Sequence, residues 1–152
     1  MPPTLRELTN TVMNDQLNDS KDIGATPSST ISYEGQDIAP LSKKSSVHYK
    51  WGENCDGWTF VENDNMSVKQ ERMPPGTSET MHYHEKATQF FFMLKGTAIF
   101  TLDGTVKVLT EHEGIEVKPG QKHRITNHSE ADIEFTLYSH PSTKNDRINV
   151  ES

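Results

Sequence analysis

Between Val47 and Tyr138 the chain is cut by turn formers into short runs with strand patterning, and that punctuation limits the possible folds more than any other feature. Residues 58–61 and 66–70 flank the turn-prone Glu62-Asn63-Asp64-Asn65. Met73-Pro74-Pro75-Gly76 then breaks the pattern, because two prolines remove two backbone donors and glycine tolerates positive φ. Runs at 79–84, 89–94, 97–102, 105–109, 114–117, 123–127 and 133–138 follow, with Lys95-Gly96 and Asp103-Gly104 as tight hairpin turns. Many short strands in close succession predict an antiparallel sandwich or barrel, an all-β domain over residues 46–141.

Residues 1–45 read differently. They are rich in Ser, Thr, Asn, Asp and Pro and lack strand alternation, which predicts a polar extension, ordered only on docking. Leu5, Leu8, Val12 and Leu17 recur near helical spacing, so one short amphipathic helix is expected there. Residues 142–152 read as a C-terminal surface tail.

Net charge narrows the partners. At -7, the chain lacks the basic face that nucleic acid requires. Its longest apolar run, near Phe90, is too short to cross a bilayer, and no apolar segment follows the early Arg6, so neither a membrane span nor a secretory signal is expected. A lone Cys55 cannot form an intramolecular disulfide and reads as a structural thiol; a cytoplasmic protein is expected.

Chemistry concentrates at His82-Tyr83-His84. Alternate strand residues share a face, so both imidazoles point the same way and can grip one transition-metal ion. Gly76 precedes His82 by a spacer of five, Gln89 follows His84 after four residues, and Gly96 closes after six more. A second stretch carries Pro119-Gly120, then His123 and Asn127. The order and spacing of these parts resemble the two sequence motifs of the cupin superfamily, small jelly-roll β-barrels that hold a metal or a small ligand.

That resemblance implies a single jelly-roll barrel with one divalent transition metal (Zn, Fe, Ni, Mn or Cu) bound by His82, His84 and His123. The family's fourth ligand is usually a glutamate, and Gln89 stands at the matching position here. A neutral amide leaves the ion's charge uncompensated, which favours an anionic ligand. Parity places Gln89 on one face with Phe91 and Met93, and His123 with Ile125 and Asn127; Phe91, Met93 and Ile125 are therefore expected to line the pocket. Tyr83, Glu85 and Arg124 alternate away from the metal. Glu79, His112, His128 and His140 read as surface or hydrogen-bonding residues. Tyr33, Trp51, Trp58 and Phe60 either pack on their own barrel or form a homodimer interface through N-terminal strands.

Two classes of function follow. One is a metal-dependent enzyme performing oxygenase- or isomerase-like chemistry on a chelated, oxygen-rich small molecule. The other is a non-catalytic module that binds a small ligand or senses a metal; fold alone does not decide between them. A sugar-phosphate isomerase ranks lower, since no interior basic cluster is evident, and neither is a general base within the motif.

Overall fold

The computed structural model describes residues 38–150; the expected helix around Leu5 to Leu17, and Tyr33, lie outside the described residues. Those described form an all-β domain without a helix, and none of them lies in a helix long and apolar enough to cross a membrane. In chain order the strands are β1 (Val47–Trp51), β2 (Cys55–Glu62), β3 (Ser67–Met73), β4 (His82–Tyr83), β5 (Thr88–Lys95) and β6 (Ala98–Leu102). They continue as β7 (Thr105–Leu109), β8 (Gly114–Val117), β9 (His123–Thr126), β10 (Ile133–His140) and β11 (Ile148–Asn149). Two antiparallel sheets result, one in the order β1-β2-β3-β10-β5-β8 and the other β11-β4-β9-β6-β7. This is the expected jelly roll.

The turns form where the residues demand them. Asn63 accepts the N–H groups of Asn65 (2.9 Å) and Met66 (3.1 Å) on its side-chain oxygen, closing the β2–β3 turn. Asp103 and Gly104 take φ of 48° and 81°, as a two-residue hairpin between β6 and β7 requires. Alternation then fills the interior. On β5, Gln89, Phe91 and Met93 point inward while Phe90 is exposed. Phe91 packs edge-on against Phe100 with ring centroids 4.9 Å apart and lies 5.7 Å from Phe135, within a core that also holds Met73, Ile125 and Ile133.

Three expectations need correction. Residues 79–84 do not form one strand: only His82–Tyr83 is β4, preceded by an isolated bridge between Ser78 and Thr126. Residues 142–150 are more than a surface tail. Ile148 and Asn149 pair with Tyr83 and His82 as β11, and Asp146 is buried. Phe91, Met93 and Ile125 are inward as parity required, but they are fully buried in the apolar core and do not line the cavity described below. Trp51 and Trp58 pack on their own barrel: Trp51 donates to the Asp56 carbonyl at 3.2 Å, and Lys43 sits 4.3 Å over the Trp58 ring. Cys55 is buried in the core, where desolvation pushes its thiol pKa up.

Candidate metal centre

β4 and β9 put the histidines together. His82 stands directly opposite His123 in the antiparallel register, and His84 follows two residues later on the same face. Ring centroids are 4.3 Å apart for His82 and His123, 5.0 Å for His82 and His84, and 5.6 Å for His84 and His123. One nitrogen from each ring lies within 4.8 Å of the others, and all three side chains are buried.

Each imidazole is fixed by its other nitrogen. His82 Nδ1 donates to the Thr80 carbonyl at 2.8 Å, His123 Nδ1 to the Gln121 carbonyl at 2.9 Å, and His84 Nδ1 to the Asp146 carbonyl. A carbonyl only accepts, so the proton sits on Nδ1 and each Nε2 presents a lone pair. Burial keeps the rings neutral. Desolvation, followed by the neighbouring His123, lowers His82 to about 3; desolvation also lowers His123 to about 4 and takes His84 below its usual value.

Gln89 faces the same point. Its Nε2 donates to Ser139 Oγ at 3.1 Å, which turns Oε1 toward His123 Nε2 at 3.0 Å. Both of these facing atoms are acceptors, and His84 Nε2 is buried with no hydrogen-bond partner. Four lone-pair donors thus converge with no proton to share among them. Such an arrangement suits a cation, and 3.0 Å is close to the spacing of adjacent ligand atoms held at roughly 2.1 Å from a transition metal. His82, His84, His123 and Gln89 therefore fit a divalent ion. The donor set, nitrogen-rich and without carboxylate, suits Zn, Fe, Ni or Cu better than Mg or Ca.

His82, His84 and Gln89 line a cavity of about 230 Å³, while His123 is fully buried beside His82. Facing them are Tyr49, Lys69, Glu71, Glu79, Trp51 and Arg147. Gly57 pairs with Tyr49 across β1 and β2; a Cβ there would fall 2.0 Å from the Tyr49 ring. Its absence lets the ring cross the strand, and the phenol donates to Glu71. Burial, with the Glu71 charge, keeps that phenol protonated far above neutral pH. Burial likewise raises Glu71, despite the Tyr49 hydrogen bond. Burial raises Glu79 to about 8, with the Glu71 charge adding to it; Glu79 Oε2 accepts from Ile125 N–H at 3.3 Å.

Residues 146–149 complete the cavity. The buried Asp146 carboxylate accepts from the N–H groups of Glu85 (2.9 Å), Lys86 (3.0 Å) and Ala87 (3.0 Å), while its carbonyl orients His84. Burial opposes ionisation of Asp146, but these N–H groups hold its pKa below the usual carboxylate value.

The sequence reading missed this opposite wall. Glu79 was expected as a surface or hydrogen-bonding residue, yet it lines the cavity. The partly buried Lys69 and the exposed Arg147 bring positive charge to the cavity lining, where no basic group was evident. Alternation on β3 carried a signal for Lys69 and Glu71, which share parity with the buried Met73; no local signal marks Arg147. Other expectations agree with the structure. Glu85 and Arg124 are exposed, and His140 Nδ1 donates to the Asn65 carbonyl at 2.8 Å.

Comparison with known proteins agrees with this architecture. The family model described as a cupin domain matches residues 69–139. A mannose-1-phosphate guanylyltransferase of Salmonella montevideo is 34% identical over 91 residues, which cover 59% of this chain and 18% of that protein. The tetracenomycin polyketide synthase protein TcmJ of Streptomyces glaucescens is 33% identical over 55 residues, 36% of this chain and 37% of that protein. The chain thus spans only a minor part of the curated relatives it matches. Among solved structures, the polyketide cyclase RemF from Streptomyces resistomycificus superposes with a TM-score of 0.64 at 14% identity, covering 76% of this chain and 87% of that one. All three histidines and Gln89 fall inside the matched stretch, so residues 69–139 carry a cupin domain.

Proposed function

We propose that this protein is a metal-dependent enzyme that moves a proton on a chelated, oxygen-rich small molecule, an isomerisation- or cyclisation-type reaction. One observation carries the reading: His82, His84 and Gln89, three of the four converging acceptors, line one cavity with Glu79, and the fourth, His123, is buried against His82 and Gln89. His82, His84, His123 and Gln89 would hold a divalent ion, which when bound would polarise the oxygens of a chelated substrate.

Glu79 supplies the proton chemistry that the motif itself lacks. A carboxyl whose pKa is about 8 populates both forms near neutral pH, so its free oxygen can take a proton from an activated carbon and return it. Tyr49 stays protonated, and its hydrogen bond to Glu71 holds both groups on the wall beside Glu79. Trp51 and Leu137 exclude water from the same space. This favours proton transfer over oxygenation, for which nothing in the cavity adds support. The 33% identity with the polyketide synthase protein TcmJ supports polyketide-like compounds as the substrate class.

The test is deuterium exchange at the activated carbon of simple β-dicarbonyls, followed by NMR on protein of known metal content. Exchange should require bound metal and should rise with pH until Glu79 is ionised, near pH 8. Metal-loaded protein that binds dicarbonyls without accelerating exchange would favour the non-catalytic binding module. Equal, negligible metal in the wild type and in His82→Ala would remove the metal reading altogether.

A further inference from the structure

Arg147 stands where two cavities meet. One holds His82, His84 and Gln89; the other, also about 230 Å³, is walled by Gly52, Ser78 and Thr80. Trp51, Glu79 and Arg147 line both. The guanidinium makes no ion pair among the described residues. Its Nε donates to Asn149 Oδ1 at 2.9 Å, which leaves the terminal nitrogens uncommitted.

The backbone on either side of Arg147 is fixed. Asp146 is anchored by the three N–H groups of residues 85–87, and Asn149 pairs with His82 between β11 and β4. The side chain is exposed, is held at Nε by Asn149 and can reach a ligand directly, and its planar donor pair matches a carboxylate. The metal-ligating set brings no negative charge of its own, so anionic groups entering the cavity meet no repulsion from that side.

We propose that Arg147 recognises a carboxylate on the far side of the chelated molecule. The ligand class is then a chelating oxygen compound with a carboxylate that reaches the junction of the two cavities. This rests on the metal-dependent reading of the site, and the experiment separates the two.

Kojic acid and comenic acid are suitable probes. They share a chelating hydroxypyranone and differ in a hydroxymethyl against a carboxylate across the ring. Calorimetric binding to zinc-loaded protein should favour comenate by about tenfold or more, the value of one charge-assisted hydrogen bond. Arg147→Gln should abolish the preference and leave kojate affinity, zinc content and thermal unfolding unchanged. Arg147→Lys should keep part of it, as a single point charge would. An unchanged preference in Arg147→Gln, or a preference lost only in Lys69→Gln, overturns the role of Arg147. Kojate binding without any preference for comenate overturns it too and leaves the metal reading intact. Failure of wild-type protein to retain zinc or bind either probe removes both.

Discussion

The two walls of the cavity are built by different means. The imidazole wall is pinned by backbone: carbonyls of Thr80, Gln121 and Asp146 hold the three rings, and two of these lie only two residues from the histidine they orient. The opposite wall is held largely by side chains, with Tyr49 on Glu71 and Arg147 on Asn149. Backbone-held donors have one protonation state and one direction, which suits a fixed ion. On that wall Glu79, whose pKa burial raises to about 8, can gain and lose a proton near neutral pH, which suits a reacting molecule. The contrast teaches that a single cavity can separate the task of holding from the task of transforming.

The sharpest way to break that contrast is to remove one member of each wall. His123→Ala should lower metal affinity at least about a hundredfold, by elemental analysis after dialysis, and should abolish exchange activity. Glu79→Gln should keep full metal content while lowering the exchange rate by about a hundredfold. Loss of metal in Glu79→Gln would show that the walls are not separate.

Asp146→Ala tests the connection between them. Three N–H groups lose their acceptor, so chemical denaturation should show a loss of about 2 to 3 kcal/mol, and metal affinity should fall about tenfold as the backbone that presents the Asp146 carbonyl to His84 loosens. Gln89→Glu sharpens the electrostatic side. A carboxylate at that position should tighten metal retention and weaken anionic ligands about tenfold, both read by calorimetry.

The smallest effect concerns pH. The folded state holds the Glu79 proton to about 8, against 4.5 for an ordinary glutamate, so between those limits it binds more protons than the unfolded chain. Its contribution to stability is complete below about 4.5 and is lost as pH rises through 8. Because Glu79 is only half-buried, the loss should be about 1 kcal/mol after solvent screening, and Glu79→Gln should flatten that part of the stability–pH curve.

How much of this was legible in the sequence follows the same division. Turn residues such as Asp103-Gly104, and the alternation of Gln89, Phe91 and Met93, are local signals, and they gave the barrel and the inward face. His82 and His84 announce each other two residues apart, and His123 stands in a motif of its own. Nothing local distinguishes Arg147 or Asp146 from solvated charges; their roles arise from contacts far along the chain. Parity also could not tell a pocket from a core. Phe91, Met93 and Ile125 face inward in either case, and only packing against Phe100 and Phe135 decides that they lie beneath the site.

The carbonyl of Asp146 that steadies His84 comes 62 positions later in the chain. During synthesis, His82, His84 and His123 leave the ribosome before the residue that orients one of them. Closing so long a loop is a late, entropically costly event in folding. The nascent barrel therefore carries its histidines in a looser arrangement, with weaker hold on any metal it meets, until residues 146–149 dock. Order of assembly would then act as a safeguard: tight capture of an ion at the proposed site would await a nearly finished domain.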